Sequence, residues 1–128
     1  MEHMQELVEV ILHHSGAPPF IGDQETSFIM RLLNGKNADA EFERTMDALV
    51  AINRMSNFGE GRADAVNRHT VYALNQLIET LLFDSFAKLQ QQDIEQCRKR
   101  GRIVLRAWSA IVEGDCADLR SYAFHLAP

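Results

Sequence analysis

The chain has 128 residues, 46% hydrophobic and 24% charged, and a formal charge of -5 at pH 7 from thirteen Lys and Arg against eighteen Asp and Glu. Those proportions fit one globular domain with a real core, and they exclude a collagen, a disulfide scaffold and a low-complexity tail. Two cysteines, Cys97 and Cys116, are too few for a disulfide framework and match no metal or redox spacing.

The chain opens on Met1-Glu2-His3-Met4-Gln5-Glu6, acidic and without the basic region of a secretory signal. No stretch approaches the ~18 consecutive apolar residues of a membrane span. The expected location is therefore cytoplasmic, with no membrane contact. A helix is predicted from about Glu2 to His14, with Met4, Leu7, Val8, Ile11 and Leu12 at helical spacing and Gly16 as its stop. Ser15 to Gly22 reads as a loop fixed by Pro18 and Pro19. Phe20 and Ile21 within it are expected to plug one end of the core, the alternative being an exposed hook for a partner.

Asp23 is the expected N-cap of a short helix through about Leu33, buried on Phe28, Ile29, Leu32 and Leu33 and ended by Asn34-Gly35. Asn37 or Asp39 opens the next helix, to about Met55. Its apolar stripe is Phe42, Met46, Leu49, Val50 and Ile52, and its wet side Asp39, Glu41, Glu43 and Asp47. Phe58-Gly59-Glu60-Gly61 is a loop. No Gly or Pro interrupts positions 62 to 100. A helix from about Asp64 to Leu89 is predicted, with a break at Gln90-Gln91-Gln92-Asp93, where Asp93 and Gln96 have the spacing of a capping box. The fifth helix runs from about Ile94 to Val112. Gly114 ends it, and Asp115 caps a last helix through about Leu126. With no convincing strand, repeat or linker, the expected fold is all-α, a compact bundle of five or six helices in a single domain spanning 1–128.

Charge is uneven along the chain. Residues 97–106 hold Arg98, Lys99, Arg100, Arg102 and Arg106 and no acid. At about 100° per residue, Arg98, Lys99, Arg102 and Arg106 share one quarter of the helix surface. Ile94, Cys97, Val104, Leu105, Trp108, Ile111 and Val112 lie opposite, with Gly101 among them where a neighbouring helix can approach closely. The basic stripe is a candidate site for an anion or an acidic partner. Its plain structural reading is a solvated face paired with Glu95, four residues before Lys99, and with the protein's own acidic helices. Nucleic acid is the less favoured ligand: the overall charge is negative, and no aromatic residue is interleaved with the bases.

The second candidate surface lies on the fourth helix. Val66, Thr70, Ala73, Leu74, Leu77, Ile78 and Leu81 make one stripe, and Leu82, Phe83 and Phe86 broaden it. A helix apolar on more than one side is either central to the bundle or shared with another chain, and in the second case Phe83 and Phe86 are the anchors of a homodimer or partner interface.

The signals for chemistry are weak. Glu9 and His13 are four apart and His3 and Glu6 three apart, but no other helix repeats such a pair, so no metal site is assigned. Cys116 and His125 stand at opposite ends of one short predicted helix and cannot meet as a nucleophile pair. Gly59-Glu60-Gly61 lacks the strand and the Lys-Ser/Thr of a phosphate loop. A helix-turn-helix over Thr26–Met55 would enter the groove with Asp39, Glu41 and Glu43, which phosphates repel. The expectation is a non-enzymatic protein-interaction module (adaptor, small chaperone or modulator) without a cofactor. The alternative is a dimeric, nucleic-acid-associated regulator acting through residues 98–106; a metal-binding bundle ranks third.

Overall fold

The structure, a computed structural model, describes residues 3–57 and 66–113. Within them the chain is helical, with no strand. Five α-helices follow in order: α1 (Met4–Ser15), α2 (Phe28–Leu33), α3 (Asp39–Asn57), α4 (Arg68–Phe83) and α5 (Gln91–Glu113). A 3-10 turn at Gln24–Thr26 precedes α2. The predicted loop at Phe58–Gly61 and the last helix from Asp115 lie outside the described residues.

The four long helices form a ring. α1 packs on α3 and α4, and α5 packs on α3 and α4, so α1 and α5 are diagonal, as are α3 and α4. Each helix turns its apolar stripe to the middle of the ring. Leu7, Val8 and Ile11 of α1, Leu49 and Ile52 of α3, Leu74, Leu77 and Leu81 of α4, and Val104 and Ile111 of α5 belong to one core. The short α2 covers the end of α1, with Phe28 against Phe42 at 5.7 Å between ring centroids.

Local chemistry sets the helix ends. Gly16 terminates α1 in the left-handed conformation (φ 64°), and its N–H donates to the carbonyl of His13. Two caps do the work expected of Asp23 alone. Asp23 accepts the Glu25 N–H and starts the 3-10 turn, while Ser27 accepts the Met30 N–H and starts α2. Asn37 Oδ1 accepts the Asp39 N–H at the start of α3.

The loop after α1 departs from expectation. Ile21 packs against the core, but Phe20 is 55% exposed, at φ 58°. Ala17, Phe28 and Ile29, on either side of this loop in sequence, are in the core, and Phe20 is not.

The predicted break between the fourth and fifth helices is present but begins earlier. α4 stops at Phe83, six residues before Leu89, and α5 starts at Gln91, so Asp93 lies within the first turn and caps nothing. Geometry explains the early stop. Phe86 follows the exposed Glu79 by seven residues, two helical turns, so a continued helix would aim its ring into water. The chain instead leaves the helix. Asp84 Oδ1 accepts the Phe86 N–H at 2.8 Å, Phe86 turns to φ 45°, and its ring drops into the core at 1% exposure.

Gly101 sits where α5 meets α4. A Cβ there would come within 2.9 Å of Leu82 Cδ2 and 3.0 Å of Leu81 Cβ. The missing side chain is therefore what lets the two helices close on each other.

Candidate functional site: the outer face of α4 and α5

The five bases of residues 97–106 divide into three groups. Arg98 is half-buried and points back at α4. Its Nη1 donates to the carbonyl of Leu81 at 2.9 Å, its Nη2 to that of Asp84 at 2.7 Å, and its guanidinium lies 5.7 Å from the centre of the Phe86 ring. A cation placed on the orphan carbonyls of a helix C-terminus satisfies both their lone pairs and the helix dipole. Arg98 is thus a C-terminal clamp for α4 rather than a member of an open anion site.

Arg100 is buried. It pairs through Nη2 with Asp39 Oδ1 at the start of α3 and lies over Phe42 at 4.7 Å. The hydrogen bond from Arg100 holds the Asp39 carboxyl below its ordinary range, with Coulomb attraction adding to it and burial opposing it. Lys99, Arg102 and Arg106 remain, all exposed and within one arc of α5. Glu95 and Lys99 do not close an ion pair; the ion pairs of the described residues are Arg31–Glu41, Arg44–Glu41 and Arg100–Asp39.

The candidate interface residues on α4 separate in the same way. Leu82 is half-buried against Gly101, Phe86 is in the core, and Phe83 is 76% exposed. Phe86 therefore cannot anchor a partner, because its ring is already enclosed. Two residues assigned by periodicity to the buried side of α5, Leu105 (43% exposed) and Val112, face solvent. Both lie at the edge of the apolar stripe. Tyr72 on α4 is also exposed. Among the described residues, four of the five exposed large hydrophobic side chains thus belong to α4 and α5, the fifth being Phe20. The signal for Leu105 was its helical angle beside Arg98, at the margin of the stripe.

A second concave surface lies between α1 and α3. This open groove of about 840 Å³ is walled by Glu6, Glu9 and His13 on one side, by Arg44, Asp47, Ala51 and Arg54 on the other, and by Ile21–Asp23 and Thr26 at one end. The metal-like pair Glu9 and His13 opens onto it, but both ring nitrogens of His13 are engaged, by the Ile21 carbonyl and by Thr26. No cluster of three or more potential metal ligands exists among the described residues.

His14 is buried. Its Nδ1 accepts the Phe28 N–H at 3.1 Å, serving the first turn of α2. Burial, helped by the charges of His13 and Arg44 and opposed by Glu41, pushes its pKa down to about 4. The Cys97 thiol is pushed up to about 11, chiefly by burial, which makes it an inert core thiol. The Cys116–His125 pair lies outside the described residues. Asp39 and Glu41, at the entry of the would-be recognition helix, are occupied by Arg100 and by Arg31 and Arg44.

No helix of the described residues is long and apolar enough to cross a membrane. Comparison of the chain with protein-family models, with curated proteins and with solved structures finds no match.

Proposed function

We propose that this chain is a non-enzymatic helical module that binds another protein through the outer face of α4 and α5. The observation that carries the reading is that exposed apolar side chains recur on these two paired helices: Tyr72 and Phe83, eleven residues apart and so on one side of α4, and Leu105 on α5. Scattered single exposures are ordinary, whereas apolar and aromatic groups gathered on one surface and rimmed by charge are the anatomy of a contact site. The rim here is basic, through Lys99, Arg102 and Arg106, on a chain whose net charge is negative. The partner that fits is a helix or strand with an apolar row flanked by carboxylates.

The test places a photo-crosslinking side chain at Phe83, at Leu105 and, as a control on α3, at Glu43. The reading requires a defined adduct from the first two positions, none from the third, and loss of the adduct when Lys99, Arg102 and Arg106 are reversed to Glu. Equal labelling at Glu43, or no adduct from α4 and α5, would refute it. Purified protein alone, treated in parallel, shows whether the partner is a second copy.

The three exposed cations on one arc also support a second reading, contact with a nucleic-acid backbone. Its mark is binding that falls steeply with salt and is indifferent to Phe83→Asp.

A further inference from the structure

One imidazole ring holds the end wall of the α1–α3 groove in place. His13 Nδ1 lies 2.8 Å from the carbonyl of Ile21, and Nε2 lies 3.2 Å from Thr26 Oγ1. A carbonyl oxygen only accepts, so Nδ1 carries a proton. Thr26 Oγ1 has a single proton and sits 2.8 Å from the carbonyl of Asp23, which also only accepts. With that proton on Asp23, the hydroxyl offers Nε2 nothing but a lone pair. All three bonds therefore form together only when Nε2 is protonated as well, as an imidazolium. A ring protonated on Nδ1 alone sets two lone pairs against each other, or pulls the hydroxyl away from Asp23; one hydrogen bond is lost in either case.

The rest of the site is built around this ring. Gln24 Nε2 donates to the Ile21 carbonyl at 3.1 Å, beside the His13 bond. A Cβ at Gly22 (φ 78°) would meet Nδ1 at 2.9 Å, so only glycine lets the loop lie this close to the ring. The charged groups around the groove are Glu6, Glu9 and His14 on α1, Asp23 in the loop, and Arg44, Asp47 and Arg54 on α3. Four carboxylates against two guanidinium groups leave room for one more cation. The neighbouring His14 ring, 4.7 Å away, accepts from Phe28 on Nδ1 and has its pKa pushed down to about 4 by burial, so it does not compete for the proton.

We propose that Ile21–Thr26 is a proton-fastened flap: the His13 imidazolium locks it against α1, and loss of one ring proton releases it and widens the groove between α1 and α3.

The test follows the His13 ring nitrogens by nitrogen-15 NMR through a pH titration of the whole chain, together with hydrogen exchange at the Glu25, Thr26 and Ser27 amides. These amides bond to Asp23 and Gln24 inside the flap. The expected result is a ring doubly protonated while the amides are protected, and a step in protection as it loses a proton. Thr26→Val removes the acceptor for Nε2 and should move the ring's titration to lower pH by about one unit, the worth of a hydrogen bond to a charged group. Thr26→Ser should restore the wild-type midpoint, and His13→Gln should abolish the step. A Thr26→Val midpoint equal to that of wild type, or a ring that stays singly protonated while the amides are protected, would overturn the proposal. Thr26 is exposed, and circular dichroism of each variant confirms that the helices remain.

Discussion

Gly101→Ala puts two opposing effects on one residue. In an exposed helix, alanine is better than glycine by about 1 kcal/mol, because glycine gives up more backbone freedom on folding. Here the added methyl has nowhere to go. It would sit 2.9 Å from Leu82 Cδ2, 3.0 Å from Leu82 Cγ and 3.0 Å from Leu81 Cβ. The Leu82 contacts can yield by rotation at the cost of a worse rotamer. The Leu81 Cβ is bound to the α4 backbone and yields only if the helices part. Overpacking of this kind costs about 1–3 kcal/mol, toward the upper end where backbone must move. Packing therefore wins, and the net expectation is a loss of about 1–2 kcal/mol. For a chain of this size that is a fall of roughly 3–8 °C in Tm. Urea denaturation followed by circular dichroism measures it, with an unchanged slope showing that the denatured state is the same. Leu82→Ala removes two of the three contacts while keeping its Cβ, so the double variant should be more stable than the two single losses added together. A Gly101→Ala protein stabilised by about 1 kcal/mol would mean that propensity alone acts there and that α4 and α5 are not in close contact.

Three further outcomes follow from the same geometry. Phe83→Asp should leave the urea midpoint within about 0.5 kcal/mol of wild type, whereas Phe86→Asp, which buries a charge in the core, should abolish cooperative unfolding; equal effects would put both rings in one environment. Arg98→Ala should cost about 2–3 kcal/mol by removing two charged hydrogen bonds from the end of α4, and Arg98→Lys should recover only part of it, since an ammonium cannot span both carbonyls; denaturant midpoints decide. His14 has a folded pKa of about 4 against 6.5 ordinarily, so the unfolded chain takes up this proton first and stability is lost as pH falls from about 6.5 toward 4. The slope from this residue is at most about 1.4 kcal/mol per pH unit, and a His14→Asn protein, whose amide oxygen can still accept from Phe28, should lose less stability between pH 6.5 and 5. Parallel profiles for the two proteins would refute the assignment.

The helices were legible in the sequence where one apolar stripe faces one core. The stripes of α1 and α3 are buried residue for residue, and so is that of α4 from Thr70 to Leu81, because helical spacing determines which side chains can meet a flat neighbour; Val66, ahead of α4, is half-buried. Ends were legible where a local residue caps the helix, at Gly16 through its left-handed backbone and at Asn37 through its side chain. The end of α4 was not, because nothing local causes it. Its cause is the pull of the core on Phe86 and the grip of Arg98, fourteen residues further on than Asp84. Phe20 was not legible either: hydrophobicity states a preference for burial, and this ring stays outside a core that holds Ala17, Phe28 and Ile29.

The basic run shows the same limit on the side of function. Angle alone groups Arg98 with Lys99, Arg102 and Arg106, yet their roles are set by what lies opposite each one. At the level of Arg98, α4 ends and exposes two carbonyls, and a guanidinium on a long stem satisfies both. One position away from Lys99, Arg100 meets the first residue of α3 and is drawn into the core by a carboxylate and a ring. Lys99, Arg102 and Arg106 meet no such neighbour, and they are what remains for a partner. Leu105, at the margin of the apolar stripe, is exposed as well. The candidate contact surface is therefore the part of α5 that the bundle does not use. Its members are told apart from Arg98 and Arg100 by what stands opposite each side chain, which the helical angle along α5 does not state.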